Sequence, residues 1–216
     1  MLDSRETKRS YDRVATTYAD RLDHELDGKP IDRALLGALA RLAGLDRQAG
    51  VIADLGSGPG HVGRHLAEVS GMAVVAVDLS SAMAHLALHR HGVGAAAGSL
   101  TALPLADGAL GAAVAFYCFI HLDQRGVAEA AAELHRALRP GGVVIVAIHT
   151  GDATRHVEEL MDTPVALDFR FMPASVLEDA LRDAGLEIEA TLERRGDPTV
   201  EADTMRAYVI ARRAAA

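Results

Sequence analysis

The segment VIADLGSGPG, residues 51–60, gives the strongest indication of how this chain folds. Its first half is apolar apart from Asp54 and predicts a buried strand, and the glycines after it predict a tight turn that opens a helix over about 60–69. Glycine suits such a turn because a Cβ would block the approach of a ligand and because a positive φ is often required there. The segment therefore predicts a strand, a ligand-binding turn and a helix in direct succession.

Short apolar runs and helical patterns alternate through the middle of the chain. The runs that predict further strands are 73–77, 94–97, 112–117 and 143–148. One helix is expected after the Ser80 cap, and another along the apolar stripe from Val127, which Pro140-Gly141-Gly142 should stop. Strands that alternate with helices of this length predict βαβ units in a mostly parallel sheet covered on both faces.

Both ends of the chain depart from this alternation. After a helix that ends at Gly185, two strand-like runs at 186–193 and 206–212 have no helix between them and should pair antiparallel. Two amphipathic helices precede the first strand. We therefore expect an α/β fold with a Rossmann-like, doubly wound, seven-stranded, mostly parallel sheet and a C-terminal antiparallel edge hairpin. The whole chain would form one domain, with helices in 1–45 ahead of a core in 46–216.

The composition of the 216 residues limits the class of protein. Half of the residues are hydrophobic and 24% are charged, which is typical of a globular chain. A formal net charge of −8, with lysine only at positions 8 and 29, argues against nucleic acid as a partner. No apolar run reaches the length of a membrane helix, the N-terminus is polar, and the lone Cys118 excludes an internal disulfide. We expect a cytoplasmic protein without membrane attachment, either a monomer or a homodimer.

A carboxylate follows the second predicted strand. Asp78 ends that strand, and an acidic side chain there can accept hydrogen bonds from both hydroxyls of a ribose. A dinucleotide fold would have its third glycine at position 61, which is His61 here, and no Gly-Lys-Ser/Thr phosphate loop is present. The glycine turn, Asp54 and Asp78 together favour a cofactor with a ribose. A nicotinamide oxidoreductase on a similar sheet is one alternative, although the glycine spacing and the closing hairpin count against it.

Four segments of the chain resemble the class I S-adenosylmethionine-dependent methyltransferases. They are VIADLGSGPG (51–60), VVAVDLS (74–80), GSLTALPLADGALGAAVAFYCFIHL (98–122) and ELHRALRPGGVVIVAIH (133–149). The segments YDRVATTYAD (11–20) and AIHTGDATRH (147–156) look like the small-molecule branch of that family often found in actinobacteria. The resemblance implies S-adenosylmethionine as the cofactor and a small organic molecule as the methyl acceptor. The acceptor atom would be oxygen, nitrogen or carbon, in that order of preference.

The resemblance also implies a set of cofactor-binding residues at the carboxyl edge of the sheet. They are Tyr18, Asp54, Gly56, Ser57, Gly58, Gly60, Asp78, Leu79, Met83, Ser99, Leu100, Phe116 and Tyr117. Asp78 would bind the ribose, and Leu79 would pack on the adenine. Phe116 and Tyr117, at the end of the fourth predicted strand, would face the sulfonium.

One position departs from the family pattern. Similar proteins often carry a Gly-Asp pair after the third strand, whose acid holds the adenine amino group, and here the pair is Gly98-Ser99. The Ser99 hydroxyl or the Leu100 backbone would have to take that role. A second alternative therefore stays open: a protein of the same fold that binds S-adenosylmethionine without methyl transfer, either a cyclisation catalyst or a regulatory binder.

Methyl transfer from a sulfonium needs alignment and exclusion of water more than covalent help. A base is required only where the acceptor must lose a proton. His121, after the fourth strand, is the first candidate for that base, and His149, at the end of the fifth strand, is the second. Both are also predicted to bind the substrate, together with Tyr11, Arg155 and Phe171. For His121, a residue that only caps a helix or shapes the pocket is the alternative.

Two segments are expected to enclose the acceptor. The resemblance implies that the first of them, the helical segment 1–45, folds over the cofactor pocket as an N-terminal lid. Tyr11 and Tyr18 are seven residues apart and would share one face of the first helix, where their rings could contact the sulfonium or the acceptor. Two core-facing tyrosines are the alternative. The stretch 150–172, between the fifth strand and the next helix, would wall the acceptor site, with an ordinary surface loop as the alternative.

Other reactive side chains are predicted to be structural. His85 and His89 are four residues apart on a helix but lack further ligands, so no metal site is predicted. Cys118 is expected to be a buried thiol at a strand end. The strand end Ala-Phe-Tyr-Cys (115–118) differs from the Asn/Asp-Pro-Pro-Tyr of enzymes that methylate amino groups of adenine or glutamine. This difference, with the acidic charge, points away from DNA, RNA and protein acceptors.

Overall fold

The computed structural model describes residues 4–44 and 50–215, and its elements follow the predicted alternation. The helices are α1 (Ser4–Leu22), α2 (Pro30–Leu42), α3 (His61–Ser70), α4 (Ser81–His91), α5 (Gln124–Ala137) and α6 (Ala174–Asp183), with 3₁₀ turns at Glu25–Gly28 and Phe119–His121. The strands are β1 (Val51–Leu55), β2 (Ala73–Asp78), β3 (Gly94–Ala97), β4 (Leu110–Phe116), β5 (Leu138–Thr150), β6 (Thr154–Leu160), β7 (Thr163–Arg170), β8 (Leu186–Arg195) and β9 (Met205–Arg213).

Seven of the strands form one sheet in the order β3-β2-β1-β4-β5-β9-β8. The first five run parallel, and β9 pairs antiparallel with both β5 and β8. The predicted Rossmann-like sheet with an antiparallel edge hairpin is thereby confirmed. The chain moves outward from β1 to β3 and then returns to β4 on the other side of β1, so a crevice opens between β1 and β4 at their carboxyl ends.

The central strands are apolar on both sides because helices cover both faces of the sheet. On one face, α2 and α3 place Leu39 and Leu66 against Ile52 and Ile145. On the other face, α5 and α6 pack over the alternate strand positions. The run from Val143 to Ile148 is fully buried, as expected for a central strand.

The turn after β1 needs glycine for conformational and packing reasons. Gly56, Gly58 and Gly60 have φ values of 66°, 54° and 93°. A Cβ at Gly56 would lie 2.3 Å from the Cβ of Cys118, and a Cβ at Gly60 would lie 2.6 Å from that of Ala87 on α4. Gly60 therefore lets α3 and α4 pack closely, as glycine does in strand–turn–helix units of this class.

Helix α5 ends before the expected Pro-Gly-Gly stop. Its last residue is Ala137, and β5 already begins at Leu138. The pairing of β5 with β4 shifts between Leu110 and Ala112, and the Pro140-Gly141-Gly142 segment occupies this irregularity, with Gly141 at a φ of 78°. The segment therefore makes a bulge inside the strand rather than the end of the helix.

The stretch 150–172 contains a β-hairpin that the sequence did not indicate. Strands β6 and β7 pair antiparallel around Met161 and Asp162, whose φ values of 53° and 61° are both positive. Two-residue hairpin turns with this geometry are usually Asn-Gly or Asp-Gly. Met-Asp carries no such signal, so the hairpin could not be recognised from its turn.

Helix α1 lies across the carboxyl edge of the sheet as the predicted lid. Asp12 accepts hydrogen bonds from the Ser80 hydroxyl at 2.6 Å and from the Ala82 amide at 3.2 Å, at the start of α4. Ser10 donates to the carbonyl of Ala166 on β7 at 3.1 Å and accepts from its amide at 2.9 Å. The predicted boundary between lid and core, at 45/46, lies outside the described residues.

Among the helices within 4–44 and 50–215, none is long and apolar enough to cross a membrane.

Gly60→Ala tests the need for glycine at the start of α3. The added methyl group would collide with Ala87 at a φ of 93°, so we expect the free energy of unfolding to fall by about 1–3 kcal/mol. Gly37→Ala, inside α2 with no neighbouring atom within 4 Å, is the control and should gain about 0.5–1 kcal/mol. Urea unfolding of both variants and the wild type gives the comparison. Equal effects of the two substitutions would contradict the packing argument.

Candidate active site

A cavity of about 660 Å³ opens at the carboxyl ends of β1, β2, β4 and β5. Most residues predicted from the sequence line it. They are Tyr11, Tyr18, Asp54, Gly56, Ser57, Gly58, Asp78, Leu79, Met83, Ser99, Leu100, Phe116, Tyr117, His121 and His149. The structure thus brings the cofactor and acceptor predictions together in one space.

Three predicted site residues do not line this cavity. Gly60 faces Ala87 of the neighbouring helix instead. The ring of Phe171 lies 5.6 Å from that of His149, and the guanidinium of Arg155 lies 5.1 Å from the Phe171 ring. Phe171 and Arg155 therefore stand behind the cavity wall, because the β6–β7 hairpin turns them away from its lining.

Asp78 joins the glycine turn to the start of α4. Its Oδ2 accepts the Gly58 amide at 2.8 Å, and its Oδ1 accepts the Ser80 amide at 2.8 Å. A carboxylate oxygen can accept more than one hydrogen bond, so both oxygens keep capacity for a ligand diol. Burial raises the pKa of Asp78 to about 6, and the hydrogen bonds from the two amides oppose this rise.

Asp54 has a buried oxygen without a hydrogen bond. The residue is 2% exposed, and its Oδ2 has no hydrogen-bond partner within the described part of the chain. This oxygen lies next to Gly63 of α3, where an added Cβ would be 3.2 Å from it. Burial raises the pKa of this carboxyl to about 7.

The space beside Gly58 is open. A Cβ at this position would have only Tyr18 Cε1 near it, at 3.8 Å, and the φ of 54° disfavours any residue with a side chain. The turn therefore leaves backbone bare next to Asp54 and Asp78. This arrangement suits a ligand that brings both a diol and a cationic tail.

The two lid tyrosines share one face, as predicted. The rings of Tyr11 and Tyr18 meet edge to face with centroids 6.2 Å apart, and both line the cavity. Burial raises the pKa of both phenols, which therefore stay neutral. Their contact with the cavity excludes the purely core-facing alternative.

His121 is a neutral imidazole with an acceptor nitrogen next to the lid. Its Nδ1 lies 3.3 Å from the carbonyl oxygen of Asp168, so this nitrogen carries the proton. Its Nε2 then accepts the hydroxyl of Tyr11 at 2.8 Å. Burial lowers the pKa of His121 to about 4. The β6–β7 hairpin completes the surroundings, since the Phe169 ring lies 5.5 Å from the imidazole and Arg170 donates to the His121 carbonyl at 3.1 Å.

His149 lies against an aromatic layer at the far end of the cavity. Its ring is tilted on that of Tyr117 with centroids 4.9 Å apart, and its Nδ1 is 2.8 Å from the Thr204 hydroxyl. Burial and then the charge of Arg206 lower the pKa of His149 to about 4. This histidine is therefore also neutral near pH 7.

The other reactive side chains that the sequence singled out make local hydrogen bonds or are exposed. The hydroxyl of Ser99 is 2.9 Å from that of Thr101 and accepts the Thr101 amide at 3.2 Å, within a local turn. The thiol of Cys118 donates to the Leu55 carbonyl at 3.3 Å, and burial raises its pKa. His85 and His89 are exposed, and residues 4–44 and 50–215 contain no group of three side chains that could hold a metal.

The sequence did not reveal a buried polar network beside Tyr117. Asp32 on α2 is 1% exposed and accepts the Tyr208 hydroxyl and the Arg194 guanidinium, each at 2.9 Å. The Tyr117 hydroxyl lies 3.1 Å from the other Asp32 oxygen and 2.8 Å from the Tyr208 hydroxyl. Tyr117 itself has a φ of 58°, which is strained for a residue with a side chain.

The signal for this network in the sequence is faint. Arg206 and Tyr208 alternate on β9, so they share a face, and both are buried. Charged and aromatic residues at alternate positions of a hairpin strand are otherwise common on solvated faces. Asp32 lies far from them in the sequence, so no local pattern links the three residues.

Comparisons with known proteins agree with this geometry. Residues 52–142 match a family model described as a methyltransferase domain. A search of curated proteins finds no match to the chain. Three solved structures are similar to the chain in fold.

The chain is similar to the [4+2]-cyclase SpnF, with 19% identity over 100% of this chain and 98% of that one, at a TM-score of 0.71. It is similar to the 1,6-didemethyltoxoflavin N1-methyltransferase of Burkholderia thailandensis, solved with S-adenosylhomocysteine, with 20% identity over 99% and 92% and a TM-score of 0.69. A third is an S-adenosylmethionine-dependent methyltransferase of Methanosarcina mazei, with 16% identity over 80% and 95% and a TM-score of 0.69. At these identities the likeness shows a shared fold. The match of residues 52–142 to a methyltransferase domain supports S-adenosylmethionine as the cofactor.

Asp54→Asn tests whether burial keeps this carboxyl protonated in the free protein. In the unfolded chain Asp54 ionises near pH 4, whereas in the folded protein it keeps its proton until about pH 7. The folded state binds more protons over this range, so its stability falls as the pH rises. Removing the carboxyl should stabilise the protein, by an amount that grows by about 2–3 kcal/mol from pH 5 to pH 7 and then levels off.

Urea unfolding at pH 5, 7 and 8 measures this difference between the variant and the wild type. Asp183→Asn, on the exposed end of α6, controls for the loss of a negative charge. A stability difference for Asp54→Asn that does not change with pH would contradict the raised pKa.

Proposed function

We propose that this protein is an S-adenosylmethionine-dependent methyltransferase that acts on an oxygen, nitrogen or carbon atom of a small organic molecule. One observation supports it most: the cavity holds two carboxyls with raised pKa, Asp54 and Asp78, on either side of bare glycine backbone. The same cavity continues to a neutral histidine and an aromatic wall. The family match over 52–142 and the shared fold point in the same direction.

The cofactor would lie along the carboxyl ends of β2, β1 and β4. Asp78 would accept the ribose hydroxyls, and Leu79 and Met83 would pack on the adenine. Asp54, which also lines the cavity, would receive a donor from the methionine tail next to Gly58. When bound there, S-adenosylmethionine supplies a methyl group activated by its sulfonium.

The protein's own contribution is positioning and exclusion of water. The lid tyrosines Tyr11 and Tyr18 present ring surfaces to the cavity, and aromatic rings favour a nearby cation. Helix α1 closes the cavity from above through its contacts with α4 and β7. Alignment of two reactants in this way can supply about 7–11 kcal/mol of the reduction in barrier.

His121 and Tyr11 would remove the acceptor proton. The acceptor hydroxyl would donate to the oxygen of Tyr11, whose own proton moves to Nε2 of His121, while Nδ1–H stays on the Asp168 carbonyl. A base with a pKa of about 4 is weak. It is sufficient for an oxygen acceptor, because an alcohol oxygen that gains a methyl group becomes a strongly acidic oxonium. This argument supports oxygen as the first choice of acceptor atom.

The chain should bind S-adenosylmethionine and S-adenosylhomocysteine, and Asp78→Ala should lower both affinities by at least 100-fold. The reason is the loss of the ribose contact together with the two amide partners of the carboxylate. Titration calorimetry measures the affinities, and Asp183→Ala on the exposed face of α6 is the control. Binding of a nicotinamide dinucleotide in place of both sulfur ligands would overturn the proposal and favour the oxidoreductase alternative.

His121→Ala and Tyr11→Phe should each lower kcat by at least tenfold, because each removes one partner of the proton relay. Cofactor affinity, measured by calorimetry, should change less than threefold. Wild-type kcat should be constant between pH 6 and pH 8, since the pKa of His121 lies near 4. Equal losses in kcat and cofactor affinity would instead mark both residues as structural.

A second function has a specific observation in its favour. The likeness to the [4+2]-cyclase SpnF extends over all of this chain, so the fold is compatible with chemistry other than methyl transfer. Incubation with S-adenosylmethionine and a library of small molecules separates the two functions. A product heavier by one methyl group supports the methyltransferase, whereas cofactor binding with an isomerised product of unchanged mass supports the cyclase.

A further inference from the structure

Arg206 lies at the β5–β9 end of the cavity, away from the predicted cofactor residues on β1 and β2. It pairs with His149 across β5 and β9, whereas Asp54 lies near the end of β1. Three strand spacings separate β1 from β9 in the sheet, which is about 14 Å. A ligand whose ribose is at β2 and whose tail is at β1 leaves the β5–β9 end to a second molecule.

The guanidinium of Arg206 is buried beside Glu201, and most of its donors make no hydrogen bond. The residue is 3% exposed and lines the cavity. Its Nη2 donates to the Ala202 carbonyl at 3.3 Å, but Nε and Nη1 have no hydrogen-bond partner among the residues described. Burying a charged group with unused donors is costly unless something pairs with it.

The nearby carboxylates are already engaged by another arginine. Arg194 binds both oxygens of Glu201, at 2.7 and 2.9 Å, and also Asp32 at 2.9 Å. Arg206 Nε stands 3.5 Å from a Glu201 oxygen, without the geometry of a hydrogen bond. Arg206 is therefore the cation of this network with donors to spare.

The positive and negative side-chain charges at the β5–β9 end of the cavity are equal in number without a ligand. The cations and anions that line or border it are Lys29, Arg194, Arg206, Glu25, Asp32 and Glu201. A ligand with one negative charge would meet the unused donors of Arg206 without crowding the three carboxylates, whereas a dianion would meet stronger repulsion.

A flat aromatic surface lies beside this cation. The Arg206 guanidinium and the Lys29 ammonium lie 5.3 and 5.7 Å from the centroid of the Tyr117 ring, and the His149 ring lies against the same tyrosine. The Tyr117 hydroxyl is held by Asp32 and Tyr208, which keeps the ring in place. The end of the cavity thus combines a ring-stacking surface with a single available cation.

We propose that the acceptor is a carboxylate-bearing molecule whose anionic oxygen binds Arg206; this rests on the proposed function, in which the β1–β2 end holds the cofactor. The organic part of the acceptor lies against Tyr117 and His149. Arg206 is a specificity-determining residue in this arrangement. It selects a monoanion over a neutral analogue because a charged hydrogen bond replaces unsatisfied buried donors.

The test uses three carboxylates with their neutral amides as probes: benzoate and benzamide, 4-hydroxybenzoate and 4-hydroxybenzamide, and phenylacetate and phenylacetamide. Calorimetry and ligand-observed NMR measure their affinity for the full chain, with and without saturating S-adenosylhomocysteine. We expect at least one carboxylate to bind at least tenfold more tightly than its amide. Arg206→Gln should reduce this preference to less than threefold, and Arg206→Lys should restore part of it.

Two controls separate the possible outcomes. Arg125→Gln removes an exposed charge on α5 and should leave the preference unchanged. S-adenosylhomocysteine and 5′-methylthioadenosine, which lacks the amino-acid tail, should each bind Arg206→Gln within threefold of the wild type.

Two results overturn the inference. One is the absence of a carboxylate preference throughout the panel. The other is a selective loss of S-adenosylhomocysteine binding in Arg206→Gln with methylthioadenosine unaffected, which would assign Arg206 to the cofactor tail. Failure of the wild type to bind either nucleoside contradicts the proposed function instead, and the carboxylate preference measured without nucleoside still tests Arg206.

Discussion

The hydrogen bonds of the Asp78 carboxylate hold the β1–β2 end of the cavity together. They tie the Gly58 amide in the turn after β1 to the Ser80 amide at the start of α4. The Ser80 hydroxyl in turn donates to Asp12 of α1 at 2.6 Å. The turn, the start of α4 and helix α1 therefore form one connected chain of polar contacts. A ligand bound to Asp78 would contact a residue of this same chain.

Burial affects the polar groups differently in three parts of the cavity. At the β1–β2 end, burial raises the pKa of Asp54 and Asp78. In the middle, burial lowers the pKa of His121 and keeps the imidazole neutral. At the far end, Asp32 is saturated by its partners, whereas Arg206 has donors without partners. Groups left unsatisfied in a buried wall are the ones available to bind what enters.

Part of the site could be predicted because its signals are local in the chain. Gly58 and Asp78 each follow an apolar run, and the carboxyl ends of parallel strands meet at one edge of a sheet. His121 was found by the same reasoning, as a titratable residue just after a strand. Asp168, its partner on the β6–β7 hairpin, was not found, because the Met161-Asp162 turn adopts a geometry that usually needs glycine or asparagine. The tautomer of His121 depends on that hairpin, because the Asp168 carbonyl accepts its Nδ1–H.

The sequence alone determined the order of the helices and of the seven strands of the main sheet, the glycine turn and the acid at the end of β2. These features follow from periodicity and from backbone conformations that few residues can adopt, and both are properties of short segments. The tertiary structure alone decided the network around Tyr117 and the missing hydrogen bonds of Arg206. Asp32 and Tyr208 are 176 positions apart in the sequence. Their contact exists because α2 packs on the face of the sheet to which Tyr208 of β9 points. Burial and pairing are properties of the assembled chain, so no local pattern could have assigned them.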